Sequence, residues 1–398
     1  MPQKTSRIKH FRNIVFLLDV LKLAFTAFGG PQVHFTQMHK LLVLKKKYIN
    51  EDELKELNSL CSMLPGPTST QTITAIGFKI GGPSLAFSTL AVWVLPASLL
   101  MLIFALVLTL FNIDNPKLDF LKFIQPMAIG FIVYAAFKVT ELFVIKNYHW
   151  FLMSISALAG IYLQTPYYFP ILLLIGGSIS SYVNTRGRIE KPKPIKHINW
   201  ENFILFLGIF LFAALLGGLT KNKSVLLFEN TYRYGSIVFG GGHVLIPMMF
   251  NQFVEFKHYI NPNEFLAGVG FLQALPGPVF SISSFTGAMV LKDWGMAGQL
   301  LGSLIGTIGI FLPGALLIFF VYPIWNQMKN YPPVKNAIEG INAASAGLVV
   351  ASAYILFKPL EINEENMIAV LLTLFLLLST KIPYPIIVLF FIIAGFVI

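Results

Sequence analysis

Apolar residues in this chain run unbroken; they neither alternate nor form a single stripe. No Asp, Glu, Lys or Arg occurs from Pro83 to Ile113, Asn147 to Thr185, Asn202 to Thr220, Phe265 to Leu291, or Trp294 to Met328. A helix needs about 20 apolar residues to cross the hydrocarbon core of a bilayer. The pattern therefore predicts an all-α polytopic membrane protein. In the first half it predicts a short segment near 13–29, an amphipathic stretch at 32–47, and two half-length helices around residues 65–67. Long spans follow at about 83–111, 119–144, 149–165 and 167–184. The second half repeats the series near 225–241, 244–257, 264–275, 279–291, 294–322, 335–357, 364–380 and 384–398, after an extra span at about 202–220.

The resemblance between halves extends to individual residues. Phe28-Gly29-Gly30 recurs as Phe239-Gly240-Gly241, Tyr48-Ile49-Asn50 as Tyr259-Ile260-Asn261, and Leu64-Pro65-Gly66-Pro67 as Leu275-Pro276-Gly277-Pro278, all at an offset of 211. Ungapped comparison of 28–67 with 239–278 gives 15 identities in 40 columns. Chance on average composition gives roughly two or three. After a six-residue insertion Pro96 matches Pro313 and Gly130 matches Gly347, at offset 217. The chain is read as two repeats, 12–185 and 225–398, joined by a basic linker and a connecting span at 186–224.

Composition agrees with this and charge refines it. Of the 398 residues, 56% are hydrophobic and 12% charged, against about 25% charged in soluble domains. The net charge of +11, from 29 basic and 18 acidic residues, is not a nucleic-acid footprint. Much of it falls in three clusters: Lys4, Arg7, Lys9 and Arg12; Lys40, Lys45, Lys46 and Lys47; and Arg186, Arg188, Lys191, Lys193 and Lys196. Basic loops face the cytoplasm, so the N-terminus and the linker are expected there, in a cell-membrane protein. The repeat counterpart of Lys40–Lys47 is Asn251–His258, which keeps only Lys257. A loop basic in one copy and depleted in the other is expected of inverted repeats, and places the C-terminus outside. Trp150, Trp200, Trp294 and Trp325 fall near span ends, as an aromatic belt would. A lone Cys61 excludes an internal disulfide, and no cleavable signal peptide is evident.

Candidate chemistry lies in the interruptions. Each Pro-Gly-Pro triplet should end one helix and start another. The following residues are hydroxyl-rich: Thr68, Ser69, Thr70, Gln71 and Thr72 in one copy, and Ser281, Ser283, Ser284 and Thr286 in the other. Helix N-termini present unpaired N–H groups and partial positive charge, which suit an oxyanion. Broken helices near the midplane point to a transporter site. A structural kink, with the hydroxyls bonded back to the helix, is the plainer alternative. The glycine pairs Gly29-Gly30 and Gly240-Gly241 allow close backbone approach. Six residues before each motif stand the repeat equivalents Lys22 and Arg233, either an attraction for a divalent anion or snorkelling cations. His34 and His243 follow the glycines without being repeat equivalents. Either is a candidate carrier of a coupling proton, or an interfacial polar contact. His34 and His39 do not share a helical face, so no metal site is expected. There is no P-loop, zinc-protease motif, paired-carboxylate site or serine elbow. The chain is not read as an enzyme, and no cofactor is expected.

These residues resemble the chromate ion transporter family in its long form with two homologous domains. The first-half match is Lys22-Leu23 leading into Phe28-Gly29-Gly30-Pro31 and His34, then Leu64-Pro65-Gly66-Pro67 with Ser69 and Gln71, then Leu95-Pro96. The second-half match is Phe239 to His243, Pro247, Gln273 with Pro276-Gly277-Pro278, and Gly287-Ala288. The resemblance implies membrane transport of chromate, usually efflux, or of a related tetrahedral dianion such as sulfate. The leading expectation is a secondary transporter whose anion sits between the Pro-Gly-Pro helix starts, with the two halves rocking about the glycine loops. Lys22, Gly29, Gly30, His34, Pro65, Gly66, Pro67, Ser69, Gln71, Arg233, Gly240, Gly241, His243, Pro276, Gly277, Pro278 and Ser281 are its candidate binding residues. Membrane lipid, a coupling proton and a second copy of the chain are its candidate partners. A passive anion channel, and more remotely a membrane-embedded enzyme or lipid-handling protein, are the competing classes.

Overall fold

The computed structural model describes residues 2–111, 122–163, 168–185, 198–239, 241–325 and 332–397. Among them the secondary structure is helical throughout. The first half contains α1 (Pro2–Thr26), α2 (Pro31–Met38) running into a π turn (His39–Lys45), α3 (Glu51–Ser62), α4 (Thr68–Phe111), α5 (Ile124–Phe143), α6 (Asn147–Tyr162) and α7 (Tyr168–Thr185). The connecting helix is α8 (Glu201–Thr220). The second half contains α9 (Lys223–Ile237), α10 (Gly242–Phe250) with its own π turn (Asn251–Phe256), α11 (Pro262–Gln273), α12 (Ile282–Val290), α13 (Gly295–Val321), α14 (Pro332–Phe357), α15 (Glu364–Ser379) and α16 (Tyr384–Val397). Five helical stretches, within α4, α5, α8, 292–324 and α14, are long and apolar enough to cross a membrane, and four shorter ones are apolar. Helices suit that solvent because every interior backbone group is paired within the element.

The repeat is preserved at the level of dihedral angles. Gly30 and Gly241, which cap α2 and α10, both have φ of +84°. Lys47 and its equivalent His258 are left-handed at φ 53° and 51°. Asn50 caps α3 in a capping box with Glu53, and Asn261 caps α11 with Glu264. Each box satisfies donors that the start of a helix leaves open. The helix after each Pro-Gly-Pro breaks at a glycine, Gly82 (φ 79°, ψ −167°) inside α4 and Gly295 (φ 70°, ψ −166°) ahead of α13.

Packing crosses between the repeats. Helices α5, α6 and α7 assemble with α14, α15 and α16, and α14 lies against all three first-half partners. A Cβ on Gly130 in α5 would stand 2.7 Å from Cβ of Thr373 in α15; one on Gly347 in α14 would stand 2.8 Å from Cβ of Ser156 in α6. Gly130 and Gly347 are equivalent, and so are Ser156 and Thr373 (156 + 217 = 373). Each repeat therefore docks a glycine onto the same hydroxyl position of the other, the small-residue packing that membrane helices use in place of a hydrophobic drive. Of the remaining helices, α1, α3, α12 and α13 gather on the long α4, with the outer arm of α4 against α12 and α13, while α10 and α11 pack on α14 and α5 and join the two groups. Helix α8 packs on α9 and α13 and leaves Phe212, Leu215 and Leu219 exposed. Trp150, Trp200 and Trp294 are about half exposed, as a belt requires, but Trp325 is buried. It ends a short 3-10 turn after α13 that folds it back into the core, so it does not belong to the belt.

At the close crossing between α7 and α14, a Cβ on Gly340 would overlap the Gly176 carbonyl oxygen, and one on Gly176 would lie 2.7 Å from the Gly340 carbonyl oxygen. Gly340→Val should lower stability by at least the ~1–3 kcal/mol typical of overpacking, read as a fall in melting temperature of the detergent-solubilised protein. Gly208→Val on α8, where a Cβ meets nothing within 4 Å, should leave it unchanged.

Candidate functional site

The two Pro-Gly-Pro turns are held crosswise. The Gly66 N–H donates to the carbonyl of Val238 at 2.7 Å, and the Gly277 N–H donates to the carbonyl of Ala27 at 2.8 Å. Ala27 and Val238 are themselves repeat equivalents, at the C-terminal ends of α1 and α9. Each broken-helix turn is thus pinned to the first helix of the opposite repeat. Both turns require glycine: φ is +116° at Gly66 and +108° at Gly277, a region that side chains disfavour. A Cβ on Gly277 would also stand 3.0 Å from Cβ of Ala97. Pro65 and Pro67, and Pro276 and Pro278, flank these glycines and keep them out of either neighbouring helix.

His34 ties the two turns together. Its Nε2 donates to the Ala27 carbonyl at 3.1 Å, the same oxygen that holds Gly277. With that proton on Nε2, Nδ1 accepts from the Ser69 hydroxyl at 3.0 Å. One imidazole therefore separates the first turn of α4 from the carbonyl that anchors the other Pro-Gly-Pro. His34 is 1% exposed and stands edge-on to Trp93, whose indole N–H donates to Thr70 Oγ1 at 3.2 Å. It is a buried bridge, not an interfacial contact.

The second copy lacks this network. His34 is matched by Leu245, Ser69 by Phe280, Trp93 by Ile310 and Thr70 by Ser281, at offsets 211 and 217. Without the indole donor, the fully buried Ser281 hydroxyl has no partner. Gln71, 2% exposed, donates Nε2 to the Pro65 carbonyl at 2.7 Å and leaves Oε1 unpaired. Thr72, Thr74, Ser283 and Thr286 bond back to helix carbonyls, so for these four the structural alternative holds. Ser284 joins Ser303 and the Ser98 carbonyl.

The two cations do not converge on this crossing. Helix α1 buries Phe16, Val20, Leu23 and Ala27, which puts Lys22 on the opposite, exposed face. Arg233 is mostly buried and engaged locally, 3.2 Å from Glu229, on Asn230 Oδ1 and over the Tyr234 ring. Gly29, Gly30 and Gly241 stay beside the crossing through Ala27 and α10. Gly240 and the His243 side chain lie outside the described residues. Among the described residues no three of His, Cys, Asp and Glu gather as a metal site would need.

Sequence reasoning missed a repeated ion pair. Lys79 reaches Glu53 at 2.5 Å, and Lys292 reaches Glu264 at 2.7 Å. Each carboxylate also accepts its own cap's N–H, from Asn50 or Asn261. Lys79, ahead of the cap N–H, holds the Glu53 carboxyl below its ordinary range. These pairs clamp the far end of each half-helix to its partner in the hairpin. The signal was present: Glu53 and Glu264 differ by 211, Lys79 and Lys292 by 213.

Comparison with known proteins follows the same two-part layout. The sequence model of the family described as chromate transporter matches residues 14–181 and 225–397. An uncharacterized transporter of Methanocaldococcus jannaschii is 27% identical over 391 residues, covering 96% of this chain and 93% of its own. A probable chromate transport protein of Synechococcus elongatus is 27% identical over 384 residues, covering 94% and 93%. A chromate transport protein of Cupriavidus metallidurans is 25% identical over 367 residues, covering 91% and 86%. No solved structure matches significantly.

The His34 bridge makes a thermodynamic prediction. His34→Leu and Ser69→Ala should each cost ~1–3 kcal/mol, the penalty of orphaning a buried partner. In a double-mutant cycle of thermal or denaturant unfolding they should couple by ~0.5–3 kcal/mol. Strict additivity would mean that the hydrogen bond contributes nothing.

Proposed function

This chain belongs to the chromate transporter family, and from that premise we propose that it is a secondary carrier of chromate or of a related tetrahedral dianion such as sulfate, working in the direction of efflux. The observation that carries the reading is the His34 bridge, which joins the first turn of α4 to the second Pro-Gly-Pro turn through the Ala27 carbonyl in one hydrogen-bonded unit. A tetrahedral dianion offers only acceptors. Two helix starts and the uncommitted Ser281 hydroxyl offer donors, in a setting where the partial charge of each N-terminus is unscreened by water. Ser69, Gln71 and the glycines at 66 and 277 frame the proposed site, holding its walls through their own hydrogen bonds within the protein. Lys22 and Arg233 are left out of it, since neither is brought to the crossing.

Alternating access then takes a particular form. Because packing crosses between the repeats, the sequence halves are not the moving bodies. The group of α1–α4, α8, α9, α12 and α13 rocks against the bundle of α5–α7 and α14–α16, with α10 and α11 at the boundary between them. The charge difference between Lys40–Lys47 and Asn251–His258 supports an inverted arrangement of the two repeats. A coupling proton could reside on His34, whose doubly protonated form still has acceptors in Ala27 and Ser69 once that hydroxyl turns.

Three measurements test these points. Purified protein in vesicles should move labelled chromate saturably, with sulfate competing. Absence of protein-dependent flux sinks the substrate assignment, and non-saturable flux favours a channel. Ser281→Ala should leave stability unchanged or slightly raised, because it removes a buried orphan. It should weaken apparent chromate affinity roughly ten- to a hundredfold, the loss of one hydrogen bond to a charged ligand. Wild-type affinity in this variant removes Ser281 from the site. Cysteines at Lys45 and Lys257, with the buried Cys61 silent, should label from opposite sides of the membrane; labelling from one side rejects inversion.

A further inference from the structure

We propose that the lysine-bearing outer face of the first repeat is a binding surface for anionic phospholipid headgroups. This inference rests on α1, α2 and the first π turn, and it does not depend on the substrate site. On α1, Phe11 (68%), Ile14 (43%), Leu18 (59%), Lys22 and Phe25 (54%) form one exposed helical stripe, flanked by the exposed Arg12 and Thr26. A cation thus stands in a row of otherwise apolar side chains that face away from the bundle. The π turn is fastened beside it. Lys46 is 3.0 Å from Asp19, and Tyr48 donates to the same carboxylate at 2.7 Å. The ion pair brings the π turn to α1 one helical turn before Lys22; Lys45 and Lys47, which flank Lys46, are exposed, and Lys40 lies one π turn back. Lys46 takes the nearby acid. Among the described residues, Lys22, Lys40, Lys45 and Lys47 have no ion-pair partner.

Depth fits a headgroup. Ala27 holds the Pro-Gly-Pro crossing, and Asp19 is eight residues away, about 12 Å at the helical rise of 1.5 Å per residue. That is close to half the hydrocarbon thickness of ~30 Å. With the crossing near the midplane, Lys46 reaches the headgroup level and Lys22 snorkels to it. The other repeat shows what this surface would be without lipid. Val244–Phe250 of α10 are all buried, packed against α5 and α14. On α2 the equivalent face is open, with Val33 40% exposed, and Leu44 in the following π turn 60% exposed. The open face carries the lysines. Of their counterparts, Arg233 is paired with Glu229 and Asn251 is buried, whereas Phe256 and His258 are exposed but carry no lysine charge. Acyl chains against Phe25, Val33 and Leu44, with a phosphate among the lysines, would cover in one copy what helices cover in the other. The cytoplasmic leaflet, where basic segments collect, is the anionic one.

The test uses the full-length protein in detergent and in nanodiscs of phosphatidylcholine with and without phosphatidylglycerol. Native mass spectrometry should show phosphatidylglycerol retained over phosphatidylcholine by the wild type. Affinity should fall roughly fivefold for each of Lys22, Lys40, Lys45 and Lys47 changed to Gln. Should the combined variant fold poorly, phosphatidylglycerol should still raise the melting temperature of the wild type, and phosphatidylcholine should not. Equal retention of the two lipids, or equal phosphatidylglycerol binding by wild type and variants, overturns the proposal. So does displacement of the lipid by free sulfate at matched concentration, which would make the face a soluble-oxyanion site. A lipid-free dimer that shields these lysines would assign the face to a second copy instead.

Discussion

Two backbone hydrogen bonds, Gly66 to Val238 and Gly277 to Ala27, govern the rest of this structure. A helix broken inside a membrane exposes N–H and C=O groups that lipid cannot satisfy, at several kcal/mol for each. A chain that breaks two helices must supply partners from within the protein. Here each repeat supplies the other's. The C-terminal carbonyl of the first helix in one half, itself an unpaired group by the geometry of helix ends, meets the N–H that the Pro-Gly-Pro turn leaves open in the other. Neither turn is complete without the opposite repeat, and the binding reading follows, because the same bonds hold both following helix starts in one place.

How much of this could be read from the sequence depends on the range of the interaction. Local devices were legible: the glycine and proline breaks, the repeat register and most span limits all rest on a few neighbouring residues. The capping boxes were equally readable, with Asn50 and Glu53 three apart and copied at Asn261 and Glu264. Side-chain direction was not. Lys22 and Arg233 are exact repeat equivalents, yet one faces outward and the other bonds to Glu229, because position 229 is matched by an apolar Leu18. The exchange of glycine and hydroxyl contacts between α5 and α15, and between α14 and α6, also left no local trace. It exists only once the two halves are folded together. Trp325 misled for a related reason: a tryptophan near a span end satisfies the belt pattern whether it turns outward or back into the core.

Backbone symmetry coexists with chemical asymmetry. The two copies share unusual dihedrals at Gly30 and Gly241 and at Lys47 and His258. Only the first carries the His34, Ser69 and Trp93 network, whereas the second fills those positions with Leu245, Phe280 and Ile310. Symmetry is retained where the backbone must bend and is lost where side chains choose partners. The two turns of the duplicated scaffold are thereby unlike, one bridged by His34 and the other with a buried Ser281 hydroxyl left without a partner.

The connecting helix α8 has a consequence for how the protein is put together. It lies on α9 and α13 of the second repeat alone, while the bonds that join the halves run through the crossed turns and the α5–α7 and α14–α16 bundle. Covalent continuity between Thr185 and Glu201 is therefore not what holds the repeats in register. A gene split in that interval, with both fragments co-expressed, would yield two polypeptides that assemble and co-purify as one particle. Either fragment alone, its broken turn lacking a partner, would be cleared by the quality-control proteases of the cell.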